Sequence, residues 1–200
     1  MISTDDCYFD SLYETCDDPW GFRSRWYERR KRLLTMAMLP RERYRRAFEP
    51  GCANGELTAQ LAGRCDTLLA TDLNDTAVRL AAERVAALPQ VRVERGGVPH
   101  DWPAGEFDLI VVSELAYYLN TSDLEQLAAC IKGSLTPDGT LLACHWRRPF
   151  EAAPQAASSV HATFDARCRL TRLVHYEDPD MLLDVWSRET RSVAELEGLA

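Results

Sequence analysis

The chain has 200 residues, 46% of them hydrophobic and 27% charged, with a formal net charge of −8 at pH 7. That length and apolar content suffice for one domain with its own core and argue against disorder, while the acidic balance argues against a nucleic-acid backbone as partner. No apolar stretch is long enough to span a bilayer, since the longest, FDLIVVSELAYYL, carries Asp108 and Glu114.

The opening MISTDDCYFD is acidic and lacks a basic stretch ahead of an apolar run, so a secretory signal is not expected. Seven cysteines, at 7, 16, 52, 65, 130, 144 and 168, form no C-x-x-C pair. Neither a disulfide framework nor a metal site is expected, and a reducing cytosol is the expected location. From Arg23 to Arg46 ten Arg/Lys stand against two Glu, so this segment carries +8 and the remainder −16. Such a run reads as the solvated face of an early helix, or as a basic rim beside a channel for an anionic or sugar substrate. Trp26, Leu33, Leu34, Ala37 and Met38 recur at helical spacing and predict a helix over 23–39, stopped by Pro40.

Beyond Pro40 two periods alternate. Strands are predicted at 44–49, 67–71, 91–94, Phe107–Ser113 and 140–144, and helices at 56–63, 76–88 and 123–135. Pro137, Asp138 and Gly139 form the turn before the fifth strand. Strands alternating with helices imply an α/β fold: a mostly parallel sheet with helices on both faces. Segments 169–176 and 181–188, joined by EDPD, predict a C-terminal antiparallel hairpin that completes a seven-stranded, Rossmann-like sheet. The residues from Thr190 are expected to fray. The organisation predicted is one domain over 1–200, with a helical N-terminal lid at 1–43, a core at 44–146, and the hairpin and tail at 147–200.

The chemistry concentrates in AFEPGCANG. Gly51 and Gly55 let the backbone turn sharply and approach a ligand closely. Glu49, at the strand's end, is placed to meet a ligand ammonium group, and the helix amides behind the loop offer donors to a polar group. Leu68-Leu-Ala-Thr-Asp72 is an apolar run ending in an acid about 20 residues on, the spacing at which nucleotide-binding folds hold ribose hydroxyls. Asp72 also reads as the N-cap of the next helix. The loop lacks G-x-G-x-x-G, which argues against a nicotinamide-dependent oxidoreductase.

EPGCANG resembles motif I of class I S-adenosylmethionine (SAM)-dependent methyltransferases, with Ala53 in place of the middle glycine. FDLIVVSE and TPDGTLLACHW resemble that family's fourth and fifth strands. WYERRKRLL, EPGCANGELTAQLA, FDLIVVSELAYYL and HWRRP resemble the nodulation protein S (NodS) type of methyltransferase, which N-methylates a free amine on a deacetylated chitooligosaccharide. The resemblance implies SAM as cofactor and a small-molecule acceptor bearing an amine, such as an amino sugar. Alternatives are O-methylation of a small metabolite and a non-catalytic SAM-binding module.

Carried onto this chain, the resemblance implies a cofactor site built from Glu49, Gly51, Cys52, Ala53, Gly55, Asp72, Leu73 and Ser113. The acid that many of these enzymes place after the third strand to bind adenine aligns here with Val98, so Val98 and Pro99 are expected to hold the base, with Asp101 assisting. Trp20, Trp26 and Tyr27 read as an aromatic lid or as ordinary helix packing. On the acceptor side stand Glu114, with Tyr117 and Tyr118 as pocket walls. His145, at the mouth end of the fifth strand, reads as a general base or as a structural histidine. The expected reaction is in-line displacement by a neutral amine, in which alignment and dehydration do most of the work.

Overall fold

A computed structural model describes residues 3–4 and 6–200. Seven strands, β1 (Tyr44–Pro50), β2 (Cys65–Asp72), β3 (Val91–Arg95), β4 (Phe107–Ser113), β5 (Leu135–Trp146), β6 (Thr171–Glu177) and β7 (Met181–Ser187), form one sheet in the order β3-β2-β1-β4-β5-β7-β6. The first five run parallel, and β7 lies antiparallel between β5 and β6. This is the mixed, mostly parallel sheet that the alternation predicts. The strand order reverses between β1 and β4, so connections leave their carboxyl ends in opposite directions and open a crevice there.

Helices α1 (Asp6–Thr15), α2 (Trp26–Met38), α3 (Glu56–Leu61), α4 (Asp75–Arg84), α5 (Thr121–Ser134), α6 (Ala157–Cys168) and α7 (Val193–Leu196) complete the chain. Asn74 caps α4 by accepting from Ala77 N at 3.0 Å, and Asn120 caps α5 by accepting from Asp123 N at 3.0 Å. Caps of this kind are worth about 1 kcal/mol each. Side chains alternate across β5: Leu141 and Ala143 pack with α5 and α6 through Leu127, Ile131, Val160 and Phe164. Leu142 and Cys144 face the opposite layer with Leu39, Leu61 and Met181. Among the described residues no helix is long and apolar enough to cross a membrane.

The structure departs from the sequence reading in four places. Helices α1 and α6 are additional. Strand β5 starts earlier, at Leu135, and runs through the Pro-Asp-Gly turn. The tail does not simply fray: Ser192 and Glu195 close a capping box on α7. Most telling is α2. Trp26 and Leu33, two residues of its predicted apolar face, are 63% and 58% exposed. Its buried residues are Glu28, Lys31, Arg32 and Thr35. A helix that turns its charges inward needs polar company there, and the cavity above the sheet supplies it.

Candidate active site

The loop after β1 is held by its backbone. Gly51 N and Cys52 N both donate to Thr71 O, at 2.7 and 2.9 Å, tying the loop to the end of β2. Gly51 has φ +73°, and a Cβ there would lie 3.3 Å from the Leu115 side chain. Ala53, where a middle glycine is expected, has φ +48°, a left-handed value that an alanine adopts at a cost. Gly55 serves differently. At φ +77° it is buried, and a Cβ would fall 2.9 Å from Ala81 Cα, so this glycine lets α3 and α4 approach rather than lining a ligand site.

Asp72 closes the loop from the other side. Its Oδ2 accepts from Ala53 N at 2.9 Å and its Oδ1 from Asn74 N at 3.0 Å. The helix-cap alternative therefore belongs to Asn74, not Asp72. Each Asp72 oxygen keeps a further lone pair for a ligand donor. Burial raises its carboxyl above the ordinary range, while the backbone donors of Asn74 and Ala53 pull it back.

A cavity of about 560 Å³ opens over these groups. Glu49 lines it from the end of β1, Gly51, Cys52 and Ala53 from the loop, Asp72 from the end of β2 and Leu73 just after it, and Val98 and Ser113 beyond. Trp20 and Tyr27 cover it from the N-terminal segment. Buried polar atoms without a hydrogen-bond partner gather here: Glu49 Oε2, Asn54 Oδ1, Tyr27 Oη and Arg32 Nε. Such atoms are costly unless something fills the space they face. Burial pushes the Glu49 carboxyl up to about 8, and the charge of Asp72 adds to the rise.

The far wall is built on the turn after β4. Glu114, at φ +55°, leaves the sheet in a strained conformation for a residue with a side chain. Its Oε1 accepts from Lys31 Nζ at 3.0 Å, and its Oε2 accepts from Trp146 N at 3.1 Å and from the Tyr117 hydroxyl. Lys31 also meets Glu28 at 2.7 Å, and its ammonium lies 5.5 Å from the ring centres of Phe22 and Tyr27. Glu114, Tyr117 and Tyr118 all line the cavity.

Beyond Gly55, four further expectations are corrected. His145 does not face the mouth. It is fully buried and absent from the cavity wall, because its parity on β5 aims it at α6, and its Nε2 accepts from Ala116 N at 3.2 Å. Pro99 does not line the cavity, although Val98 does. The Asp101 carboxylate is engaged by Gly97 N at 3.0 Å and lies outside the cavity wall. Trp26 points to solvent and forms no part of a lid.

The sequence reading missed Glu28 and Lys31, whose i,i+3 spacing on α2 was the available signal. It also missed Tyr8, Phe9 and Tyr13 of α1, which line the cavity. The N-terminal segment is latched to the loops after β1 and β2: Asn54 Nδ2 donates to Asp18 at 3.0 Å, and Asn74 Nδ2 to Asp10 at 2.7 Å.

The family model described as Nodulation protein S (NodS) matches residues 11–150. The chain is 30% identical over 130 residues to Nodulation protein S of Bradyrhizobium diazoefficiens, which is 63% of this chain and 61% of that protein. It therefore spans less than two thirds of that relative's length. It is similar to the crystal structure of N-methyltransferase NodS from Bradyrhizobium japonicum WM9 in complex with S-adenosyl-L-homocysteine (SAH), with 25% identity, TM-score 0.80, and coverage of 91% of this chain and 98% of that one. It is also similar to a provisionally assigned methyltransferase from Pseudomonas syringae, with 55% identity, TM-score 0.73, and coverage of 82% and 99%.

Proposed function

The chain belongs to the nodulation protein S family, and from that membership we propose that it is a SAM-dependent methyltransferase acting on the amine of a small metabolite, with an amino sugar as the first candidate. The observation that carries the reading is the continuity of one cavity. It joins the Gly51 cradle, Asp72 and the unpartnered Glu49 Oε2 at one end to Glu114, Tyr117 and Tyr27 at the other.

The residues fit the donor's chemistry. Glu49 Oε2 is a buried acceptor suited to an ammonium, Asp72 has lone pairs for ribose hydroxyls, and a side chain at Gly51 would crowd the cradle. Gly51, Cys52, Ala53, Leu73, Val98 and Ser113 would supply the remaining walls, with Trp20 and Tyr27 as cover. When bound, SAM supplies a methyl group already activated on a sulfonium. The chain's own residues then bind, align and dehydrate the acceptor. Glu114 Oε1, engaged only by Lys31, retains a lone pair for an amine N–H, and the Tyr27 hydroxyl can donate or accept. Tyr117 holds the Glu114 carboxylate from the opposite side. A reducing cytosol is the proposed setting, as the cysteine spacing implies.

The test is calorimetric titration with SAH and with NADH, followed by methyl transfer from labelled SAM to amino sugars, their oligomers and hydroxylated analogues. SAH binding and label on nitrogen are expected. Transfer only to hydroxyl groups would replace the amine reading with O-methylation, and no SAH binding would remove the methyltransferase reading altogether.

A further inference from the structure

Behind the acceptor wall, outside the cavity, three polar side chains stand in a row through the core. Ala116 N donates to His145 Nε2 at 3.2 Å. His145 Nδ1 lies 2.9 Å from His161 Nε2, and His161 Nδ1 lies 2.6 Å from Asp184 Oδ2. The three side chains come from β5, α6 and β7 and are almost wholly buried, at 0%, 4% and 1% exposure.

The direction of every proton in the row follows from its first member. A backbone amide can only donate, so His145 Nε2 must be the bare nitrogen and the ring proton sits on Nδ1. That proton faces His161 Nε2, which must accept it. The His161 proton is therefore on Nδ1, aimed at a carboxylate that can only accept. Burial lowers both histidines below their ordinary range, which keeps the rings uncharged, and Asp184 is lowered by its bonds to His161 and His175. On the outer side Asp184 Oδ1 meets His175 Nδ1 at 2.7 Å, with Arg172 at 3.7 Å.

A column of this kind contributes little net stability over an apolar filling of the same volume, but it fixes geometry. What it fixes here is the amide of Ala116, in the middle of the turn that carries the wall. Glu114 is strained, Leu115 packs against Gly51, and the Tyr117 ring meets His145 edge-on at 5.2 Å. We infer that His145, His161 and Asp184 are positioning residues that hold the Glu114–Tyr118 turn in register with the cofactor loop. The inference rests on the proposed reading of that turn as the acceptor wall. It offers no proton path to the cavity, because the column ends on a backbone N–H.

The test uses the full-length protein and needs no acceptor. Long-range ¹⁵N NMR at neutral pH should find His145 and His161 both neutral and protonated on Nδ1. His161→Leu should accelerate exchange of the Ala116 amide by about tenfold, the scale of one lost hydrogen bond, and leave β2 and β3 amides unchanged. His161→Gln, which still offers an oxygen near the Nε2 position, should retain most of the protection. If His161→Leu does not fold, the tautomers and the glutamine variant decide the matter. An Nε2-protonated or charged His145, unchanged Ala116 exchange in His161→Leu, or acceleration spread evenly over the sheet would each overturn the inference. Failure of the wild type to bind SAH would instead remove the methyltransferase reading and leave the column's protonation standing.

Discussion

Glu49 is a carboxyl whose burial favours the fold only while it is protonated. Its value is raised from 4.5 to about 8, so its contribution is fully present below pH 4.5 and is lost as pH rises towards 8. At pH 8 about half of the unliganded molecules therefore carry a buried charge here, which a ligand ammonium would compensate. Glu49→Gln is expected to raise stability at pH 8 by about 0.5–2 kcal/mol and to weaken SAH binding, as thermal melts and calorimetry on one preparation would show. A variant that is more stable and binds SAH normally would separate Glu49 from the ligand. Asp72→Asn keeps the size of the side chain and removes its charge, and should cost about 1.5–3 kcal/mol of SAH affinity by titration. The glycine loop and Asp72 were legible because their spacing is set by one βαβ unit. His145 was not. Knowing that it ends a strand says nothing about which face it takes, and that face is decided by the parity it shares with Leu141 and Ala143.

Among the elements, α2 is where the ordinary rule of apolar residues inward misleads. Trp26→Ser and Leu33→Ser alter two large exposed side chains and should each change the unfolding free energy by less than about 0.5 kcal/mol in denaturant titrations. Lys31→Met, an apolar change of similar size, should cost about 3–5 kcal/mol, since it leaves the buried Glu28 and the half-buried Glu114 without their cation. The opposite ranking would mean that α2 packs as its apolar pattern suggests. The five parallel strands and the hairpin were readable because their apolar runs are short and end in turn residues. Helix α1 escaped because Tyr8, Phe9 and Tyr13 are interleaved with Asp6, Asp10 and Glu14. Helix α6 escaped because the face it buries, Ala157, Val160, His161, Phe164 and Cys168, mixes small and polar residues with apolar ones.

For the molecule as a whole, pH pulls in two directions. The neutral buried pair His145 and His161 takes up protons on unfolding, so it costs stability as pH falls below the ordinary histidine value of 6.5. Glu49 does the reverse as pH rises from 4.5. Between these values the two tendencies oppose each other in the wild type. With one raised carboxyl removed, Glu49→Gln should show a denaturation midpoint that falls more steeply from pH 6.5 to 5 than the wild type's, although Glu28 and Asp72, also raised by burial, still oppose the histidines. A slope no steeper than the wild type's over that interval would mean that Glu49 does not oppose the histidines.

The reversal of strand order between β1 and β4 also has a consequence in time. While the chain is being synthesised, β1, β2 and β3 emerge in succession and can pair with one another. The other edge of β1, including the fully buried Ala47 and Phe48, has no partner until Phe107–Ser113 appears. At ~5–20 residues per second that interval lasts ~3–11 s. Throughout it, the edge of β1 that leads into the glycine loop stands open to any passing strand. The nascent chain is thus open to mispairing at the strand that leads into its proposed site.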